Sequence, residues 1–391
     1  MPLPSTRVAM VGGGLSGLVA ALLLQQQGVD DFVVFEARDV LGGRIQSVDA
    51  VGGVADGSVP ALDRFDLGPT WFWPEYQSQL DQLVDALGLR RFESFEAGDM
   101  LVERSPHEAP RRMRGYASSP ASMRLLGGTG ALIAALRGRL DPGRVLPAHT
   151  VRRLRHAGSQ VELDIEHADG RTMTWRAAQV LLALPPRLAA ARLEFQPALP
   201  LELARSWLAT PTWMAPHAKY VAVYETPFWR EQGLSGAAQS AHGPMVEIHD
   251  VSMPGGHAAL FGFLGVPAQV RRGVPEELLR AHCRAQLARL FGERAASVVA
   301  DALKDWAADP LTATADDQDA GGHHAEAPPC RPASGPWSAC LSGIGSEWSR
   351  EFPGYLAGAV DAAARGAFEA AAALGSVAEP APGSPATEPC S

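Results

Sequence analysis

A glycine-rich turn near the start of the chain constrains the fold more than any other feature. The pattern GxGxxG occupies residues 12–17, after a short apolar run at residues 7–11 and before apolar residues that recur at helical spacing as far as Gly28. A second apolar run, DFVVFE, ends in Glu36. This order predicts a strand, a glycine turn, a helix and a second strand, which together form a βαβ unit. In such a unit the glycines allow a tight turn, close approach of a diphosphate, and packing of the helix on the strand.

A dinucleotide is the ligand that this unit predicts. The helix after the glycines offers free backbone N–H groups and the positive end of its dipole to phosphates. Glu36 lies 19 residues beyond Gly17, where a carboxylate accepts hydrogen bonds from ribose hydroxyls and repels a 2′-phosphate. The beginning of the chain therefore favours NAD or FAD over NADP.

The next residues favour FAD. The stretch EARDVLGGR carries Arg38, two further glycines and Arg44. An NAD enzyme needs no second glycine–arginine turn here, whereas the longer FAD benefits from a second cationic clamp, and guanidinium groups suit bidentate contact with a diphosphate. GGGLSGLVAA followed by FEARDVLGGR resembles the flavin amine oxidase group, which includes monoamine oxidases, polyamine oxidases and L-amino acid oxidases. The resemblance implies an α/β fold class, with a glutathione-reductase-type Rossmann FAD-binding domain and a discontinuous α+β substrate domain.

Later segments follow the order of that family. DLGPTWFWPEYQ, the turn and helix of LLGGTGALIAALRGRL, a strand around Val151 and the strand end VLLALPP each resemble a family segment. Counting back from PFWR without a gap, Lys219 takes the position of the family's active-site lysine, which typically holds a water near flavin N5 and assists the reaction with oxygen. A lysine flanked by apolar residues on a strand needs a partner for its charge, unless it reaches the surface from a sheet edge.

The stretch GSEWSREFPGYL resembles the C-terminal flavin motif of the family. The match places Ser346 beside the ribityl-phosphate end, Glu347 at the glutamate position, and the backbone N–H of Leu356 near the flavin pyrimidine. Tyr355 matches one aromatic of the cage that flanks the amine in front of the flavin. The resemblance thus implies Lys219 and Tyr355 as catalytic residues. The cofactor-binding residues that it implies are Gly12, Gly14, Leu15, Ser16, Gly17, Glu36, Ala37, Arg38, Gly42, Gly43, Arg44, Val151, Ser346, Glu347 and Leu356.

The activity implied by the resemblance is FAD-dependent oxidation of an amine. The hydride next to nitrogen passes to flavin N5, and the products are an imine or aldehyde, ammonia and hydrogen peroxide. A small-molecule amine and O2 are then the partners. Three alternatives stay open: an L-amino acid oxidase or flavin desaturase on the same scaffold, an NAD dehydrogenase, and a flavin-binding or empty interaction protein with impaired catalysis.

The chain departs from the family in the substrate region. The segment that follows Trp306 contains no second cage aromatic, and its His323 and His324 are read as an exposed loop pair rather than a covalent flavin attachment. Only about fifty residues separate Trp71 from the GGTG turn, which predicts a more open entrance or a larger substrate. An amino acid oxidase would add an arginine for the substrate carboxylate, and the candidates are Arg90, Arg91 and Arg114.

Composition excludes several other classes of protein. A net charge of −9 leaves no basic surplus to neutralise nucleic-acid phosphates. No run of about 18 apolar residues predicts a membrane span, and the first residues lack the pattern of a secretory leader. The 4 cysteines form neither a metal-like pair nor a disulfide framework, which favours a reduced cytoplasm. We expect no nucleic acid, no membrane and no metal as partners, and a homodimer stays open.

The predicted domains are discontinuous in sequence. The last residues are rich in Pro, Ala, Ser and Glu and predict disorder. The expected division gives residues 1–75, 125–204 and 311–375 to the FAD-binding domain, residues 76–124 and 205–310 to the substrate domain, and residues 376–391 to a disordered tail.

Overall fold

A computed structural model describes residues 3–50, 63–318 and 326–375. The predicted disordered tail, His323 and His324 lie outside these ranges. The strands are β1 Ser5–Val11, β2 Phe32–Phe35, β3 Ser47–Asp49, β4 Arg64–Asp66, β5 Arg91–Glu93, β6 Asp99–Glu103, β7 Arg111–Arg114, β8 Met123–Leu125, β9 Val145–Leu146, β10 His149–Ala157, β11 Gln160–His167, β12 Thr172–Leu182, β13 Glu194–Gln196, β14 Ala218–Tyr224, β15 Leu234–Ser240, β16 Met245–Asp250, β17 Ala258–Leu264, β18 Ala300–Asp305 and β19 Leu341–Gly343. The α-helices are α1 Leu15–Gln26, α2 Ser78–Ala86, α3 Gly130–Arg137, α4 Pro186–Arg192, α5 Leu201–Ala209, α6 Phe228–Glu231, α7 Ala268–Arg271, α8 Glu276–Phe291 and α9 Leu356–Gly375.

The first large sheet is built around β1. Its eight strands include the path β13-β10-β11-β12-β1-β2-β9, and β19 pairs with β12. β1 runs parallel to both β2 and β12, as a βαβ unit requires. Val8 and Met10 pack on one face with α1 and α9, whereas Ala9 and Val11 pack on the other face in a cluster that includes residues of α4 and α5. Helices therefore cover both faces, which explains why residues 8–11 of β1 and 32–35 of β2 are all apolar.

Two glycines of the first turn are required by their surroundings. Gly12 has a φ of +115°, and a Cβ there would lie 2.5 Å from the carbonyl oxygen of Ala183. A Cβ on Gly17 would lie 2.0 Å from the carbonyl oxygen of Gly12. Both distances are far inside van der Waals contact, so only glycine allows α1 to start this close to β1 and to the end of β12.

The second large sheet carries the strand that contains Lys219. Its seven strands have the order β18-β14-β17-β16-β15-β6-β7. One face of β14 packs with residues of α8, and the opposite face, which includes Val221 and Val223, packs against Val48 of β3 and Phe65 of β4. Because side chains alternate along a strand, Lys219 shares the face of Val221 and points toward the segment that follows β4.

The positions of the strands bear on the predicted domains. Every strand of the first large sheet falls in the three ranges assigned to the FAD-binding domain, and every strand of the second falls in the two assigned to the substrate domain. The exact bounds of the domains stay a prediction. None of the helices in the described residues is both long enough and apolar enough to cross a membrane.

Candidate active site

A cavity of about 740 Å³ opens at the carboxyl ends of β1, β2 and β12, the edge of a parallel sheet where ligands of such folds bind. Its walls also include residues of the second sheet, among them Lys219 and Phe263. The residues implied by the family resemblance that line it are Gly12, Gly14, Leu15, Ser16, Glu36, Ala37, Arg38, Gly42, Gly43, Arg44, Val151, Lys219, Ser346, Tyr355 and Leu356. The fold thus brings segments from the whole chain to one cavity.

Two of the predicted cofactor-binding residues do not line this cavity. Gly17 lies behind the glycine turn, against the carbonyl oxygen of Gly12, so its part is to let helix and strand approach. Glu347 is buried behind Arg44 and makes an ion pair with its guanidinium. Both residues shape the cavity wall from behind rather than reaching the space in front of it.

The glycine turn presents bare backbone to the cavity. The nearest atom to a Cβ built on Gly14 would be the carbonyl oxygen of Gly42 at 3.7 Å, so nothing crowds this side of the turn. α1 begins at the next residue and aims the positive end of its dipole at the same space. The hydroxyl of Ser16 donates to the carbonyl of Ile344, which ties the first turn of α1 to the segment just before the C-terminal flavin motif.

Glu36 is buried and holds the turn in place. Its Oε2 accepts a hydrogen bond from the backbone N–H of Gly13 at 2.7 Å, and its Oε1 accepts one from the backbone N–H of Arg38 at 2.8 Å. A carboxylate offers about four lone-pair sites, so these two hydrogen bonds do not exhaust its capacity to accept others. This arrangement is compatible with the predicted contact to a ribose.

The two predicted clamp arginines both have carboxylate partners. Arg38 donates to Asp309 at 2.9 Å. Arg44 forms a fork with Glu347 at 2.5 and 2.9 Å and also donates to Ser346. Burial would raise the pKa of Glu347, but the charge and hydrogen bonds of Arg44 outweigh it and hold the pKa below its usual value. Much of the donor capacity of Arg44 is therefore used within the protein, and direct clamping of a diphosphate stays a prediction.

Lys219 is buried in the cavity wall and has three polar or aromatic partners. Its Nζ donates to Thr70 Oγ1 at 2.6 Å and to the carbonyl oxygen of Gly68 at 3.1 Å, and it lies 3.9 Å from the ring centroid of Phe261. Burial lowers the pKa of Lys219 to about 7, and the charge of Asp66 only partly opposes this effect. The ammonium is thus held inside the protein, and it does not reach the surface from a sheet edge.

An aromatic side chain that the sequence did not suggest lies beside Tyr355. The ring centroids of Trp213 and Tyr355 are 6.0 Å apart with an interplanar angle of 34°, and both rings line the cavity. Gly354 has a φ of +84°, and a Cβ there would lie 2.5 Å from Cβ of Trp213, so this glycine permits the approach. Among residues 307–318, those that line the cavity are Pro310, Leu311 and Thr312, and the ring beside Tyr355 comes from the loop before β14.

Other cavity residues also escaped sequence reasoning. Trp71, Trp73, His217 and Phe263 line the cavity together with Lys219. Trp71 lies within the quoted DLGPTWFW segment, and His217 precedes Lys219 by two residues, so position near a family motif was the available signal. The candidate carboxylate-binding residues Arg90, Arg91 and Arg114 are absent from the described lining of this cavity.

Two family models match the chain. The family model of the flavin-containing amine oxidoreductases matches residues 98–370. The family model of an NAD(P)-binding Rossmann-like domain matches residues 10–87. The chain is 30% identical over 244 residues to a putrescine oxidase of Kocuria rosea, an alignment that covers 60% of this chain and 50% of that protein. It is 31% identical over 264 residues to a putative flavin-containing monoamine oxidase, AofH, of Mycobacterium tuberculosis, covering 64% and 53% respectively. The chain thus spans about half the length of the curated relatives it matches.

Solved structures of low sequence identity share the whole fold. A cyclohexylamine oxidase from Brevibacterium oxydans superposes with a TM-score of 0.75 at 20% identity, covering 95% of this chain and 100% of that one. A putrescine oxidase bound to putrescine superposes with a TM-score of 0.72 at 22% identity, covering 94% and 99%. These likenesses confirm the predicted fold class, a Rossmann-type α/β fold.

Proposed function

The chain belongs to the family of flavin-containing amine oxidoreductases, and from this premise we propose that it oxidises primary amines that carry one nitrogen and an apolar body. The family confirms the resemblance predicted from the sequence, and with it FAD as the cofactor. The observation that carries the proposal is one cavity that joins the glycine turn at Gly14 to Lys219, Trp213 and Tyr355.

The residues of the cavity fit a flavin dinucleotide. The bare backbone at Gly14 and the start of α1 suit the diphosphate, and the free lone pairs of Glu36 suit the ribose. Val151 and the start of α9 at Leu356 would contact the two ends of the cofactor, as the family resemblance implies. Bound FAD supplies a two-electron acceptor for the hydride next to the amine nitrogen.

The residues at the other end of the cavity would bind and orient the amine. The rings of Trp213 and Tyr355 offer two apolar faces for a neutral amine, and Trp71 and Phe263 extend the apolar wall. Such a wall excludes water and holds the C–H bond in one orientation. Below its lowered pKa of about 7, Lys219 would place a positive charge beside the reacting groups, which favours electron transfer to O2 because the oxygen gains negative charge.

Charge on the cavity wall selects among the possible amines. Among the described lining residues the acidic side chain is Glu36, and two backbone N–H groups hold it at the nucleotide end. A second ammonium, as in a diamine, would therefore lose its hydration near the aromatic rings without gaining a carboxylate. Of the lining arginines, Arg38, Arg44 and Arg152 pair with Asp309, Glu347 and Glu166. Arg192 makes no ion pair with a carboxylate of the described residues, so it is the lining arginine that an amino acid carboxylate could pair with.

A substrate panel tests this proposal directly. FAD-saturated protein is mixed in air with hexylamine, benzylamine, putrescine or L-amino acids, and hydrogen peroxide is measured with a catalase-treated control. We expect peroxide from the two monoamines, with kcat/KM at least about tenfold above that of putrescine, because an unpaired buried charge costs more than about 1.4 kcal/mol. Peroxide from amino acids alone would instead indicate the L-amino acid oxidase, and no flavin bleaching with any amine would indicate a catalytically impaired protein. A homodimer and a cytoplasmic location stay predictions.

A further inference from the structure

A second, smaller cavity lies next to the active-site cavity, at the segment around Gly43. Its volume is about 120 Å³, well above the roughly 10–15 Å³ that one water needs. It shares Arg38, Gly43 and Ile45 with the large cavity. The charged side chains among its described lining residues are all cationic: Arg38, Arg64 and Lys304. This cavity is therefore polar, and its charge has one sign.

Arg64 is the unusual member of this cluster. Arg64 is 7% exposed, and its Nε is buried without a hydrogen-bond partner. Arg124 and Arg155 also have an unpartnered Nε, but their terminal nitrogens bond to backbone carbonyls or to Asp164. No ion pair joins Arg64 to a carboxylate of the described residues. A buried Nε without a hydrogen-bond partner, on a guanidinium that has no ion pair with the described residues, costs free energy that a bound anion would lower.

The neighbours of Arg64 do not neutralise it. Arg38 and Lys304 share one carboxylate, Asp309, with distances of 2.9 Å to each of its oxygens. Arg38 also lies 3.9 Å from Glu36, so among the described residues these three cations and two carboxylates leave a formal charge of +1. α3 also begins here with Gly130, whose backbone N–H donates to Ser47, so the helix adds the positive end of its dipole rather than a free donor. Each of these features raises the electrostatic potential inside the cavity.

We propose that this cavity binds a small tetrahedral oxyanion of the class of inorganic phosphate, with Arg64 as its principal ligand. A guanidinium presents several N–H donors in one plane and suits bidentate contact with two oxygens of such an ion. Arg38 and Lys304 then add charge from the other walls. The site adjoins the flavin site, with which it shares Arg38 and Gly43, and it does not depend on the proposed activity. Its occupant holds the turn between the two cavities from behind.

Titration with inorganic phosphate tests this proposal. FAD-saturated protein in a phosphate-free buffer is titrated with sodium phosphate by calorimetry, and the unfolding temperature is followed at each concentration. We expect saturable binding of one phosphate and an unfolding temperature that rises with phosphate, because a ligand bound only to the folded state stabilises it. The variant Arg64→Met should bind phosphate at least about tenfold more weakly, since it loses a charge-assisted hydrogen bond. The matched control Arg205→Met removes an exposed arginine paired with Glu202 and should bind phosphate like the wild type.

Further arms separate phosphate binding in this cavity from ionic screening and from binding in the flavin site. Sodium chloride at equal ionic strength should not reproduce the effect, and if it does, the effect is screening and the proposal is wrong. If phosphate binds only when FAD is absent, the ion occupies the flavin diphosphate site and the proposal is wrong. The proposal is also wrong if Arg64→Met binds phosphate as tightly as the wild type. Should that variant fail to fold, Arg64→Lys keeps the charge and loses the fork, and weaker phosphate binding by it is the expected result. Absence of phosphate binding to the wild type contradicts the proposal without any variant.

Discussion

Replacing Lys219 by methionine should remove a pH dependence of stability that the buried ammonium creates. The pKa of Lys219 is lowered by burial from 10.5 to about 7 in the folded protein. Between these two values the unfolded chain binds the proton and the folded chain does not, so stability rises with pH in this window. From pH 7 to pH 9 the free energy of unfolding therefore rises by about 2.7 kcal/mol, at about 1.36 kcal/mol per pH unit. Lys219→Met lacks this contribution.

The assay compares the free energy of unfolding of the FAD-saturated wild type and Lys219→Met at pH 6, 7, 8 and 9. We expect the difference between them to shift by about 2–3 kcal/mol in favour of the wild type from pH 6 to pH 9. Lys304 is the other lysine of the chain and lies opposite Lys219 on the neighbouring strand. The control Lys304→Met should keep the pH dependence of the wild type. Parallel curves for the wild type and Lys219→Met would refute the buried ammonium and its lowered pKa.

Three further substitutions test the cavity wall. Arg44→Met should destabilise the protein by about 3–5 kcal/mol and weaken FAD binding, because it leaves the buried Glu347 without its ion-pair partner. Thermal unfolding and FAD titration measure these effects, and an unchanged unfolding temperature would contradict the prediction. Gly17→Ala should abolish FAD binding, since its Cβ would lie 2.0 Å from a backbone oxygen. The control Gly138→Ala, at a φ of −66° and with no atom nearer than 3.5 Å to its Cβ, should retain the yellow holoprotein, and FAD retained by both variants would be inconsistent with this packing. Trp213→Ala should lower kcat/KM for a monoamine by roughly two- to tenfold, from the loss of one ring of an aromatic pair, and an unchanged value would remove Trp213 from the amine site.

Local patterns made much of the fold and cofactor site predictable. The glycine turn, the apolar strands on either side and the acid at residue 36 lie within one βαβ unit, where short-range sequence spacing determines the geometry. The prediction of Lys219 as the active-site lysine rests on its fixed distance from PFWR along one strand and the loop after it. Such positions can be predicted from the sequence because the residues that define them lie close together along the chain.

Contacts between distant segments could not be read from the sequence. Arg44 and Glu347 are 303 residues apart, so the sequence indicated a cationic clamp but not the carboxylate that engages it. Trp213 lies in a loop with no motif of its own, and only tertiary packing places it against Tyr355. In the sequence Arg64 resembles any other arginine of a strand. Its burial and its Nε without a hydrogen-bond partner are visible only in the structure. These features depend on which segments meet, and local propensity does not encode that.

Anaerobic reduction of the bound flavin tests the central claim most directly. FAD-saturated protein is mixed with hexylamine without oxygen in a stopped-flow instrument, and the experiment is repeated with the amine deuterated at the carbon next to nitrogen. We expect bleaching of the flavin absorbance by the monoamine and slower bleaching with the deuterated amine, since the C–H bond next to nitrogen breaks in that step. A flavin spectrum that stays unchanged with every amine, while NADH bleaches it, would contradict amine oxidation by this site.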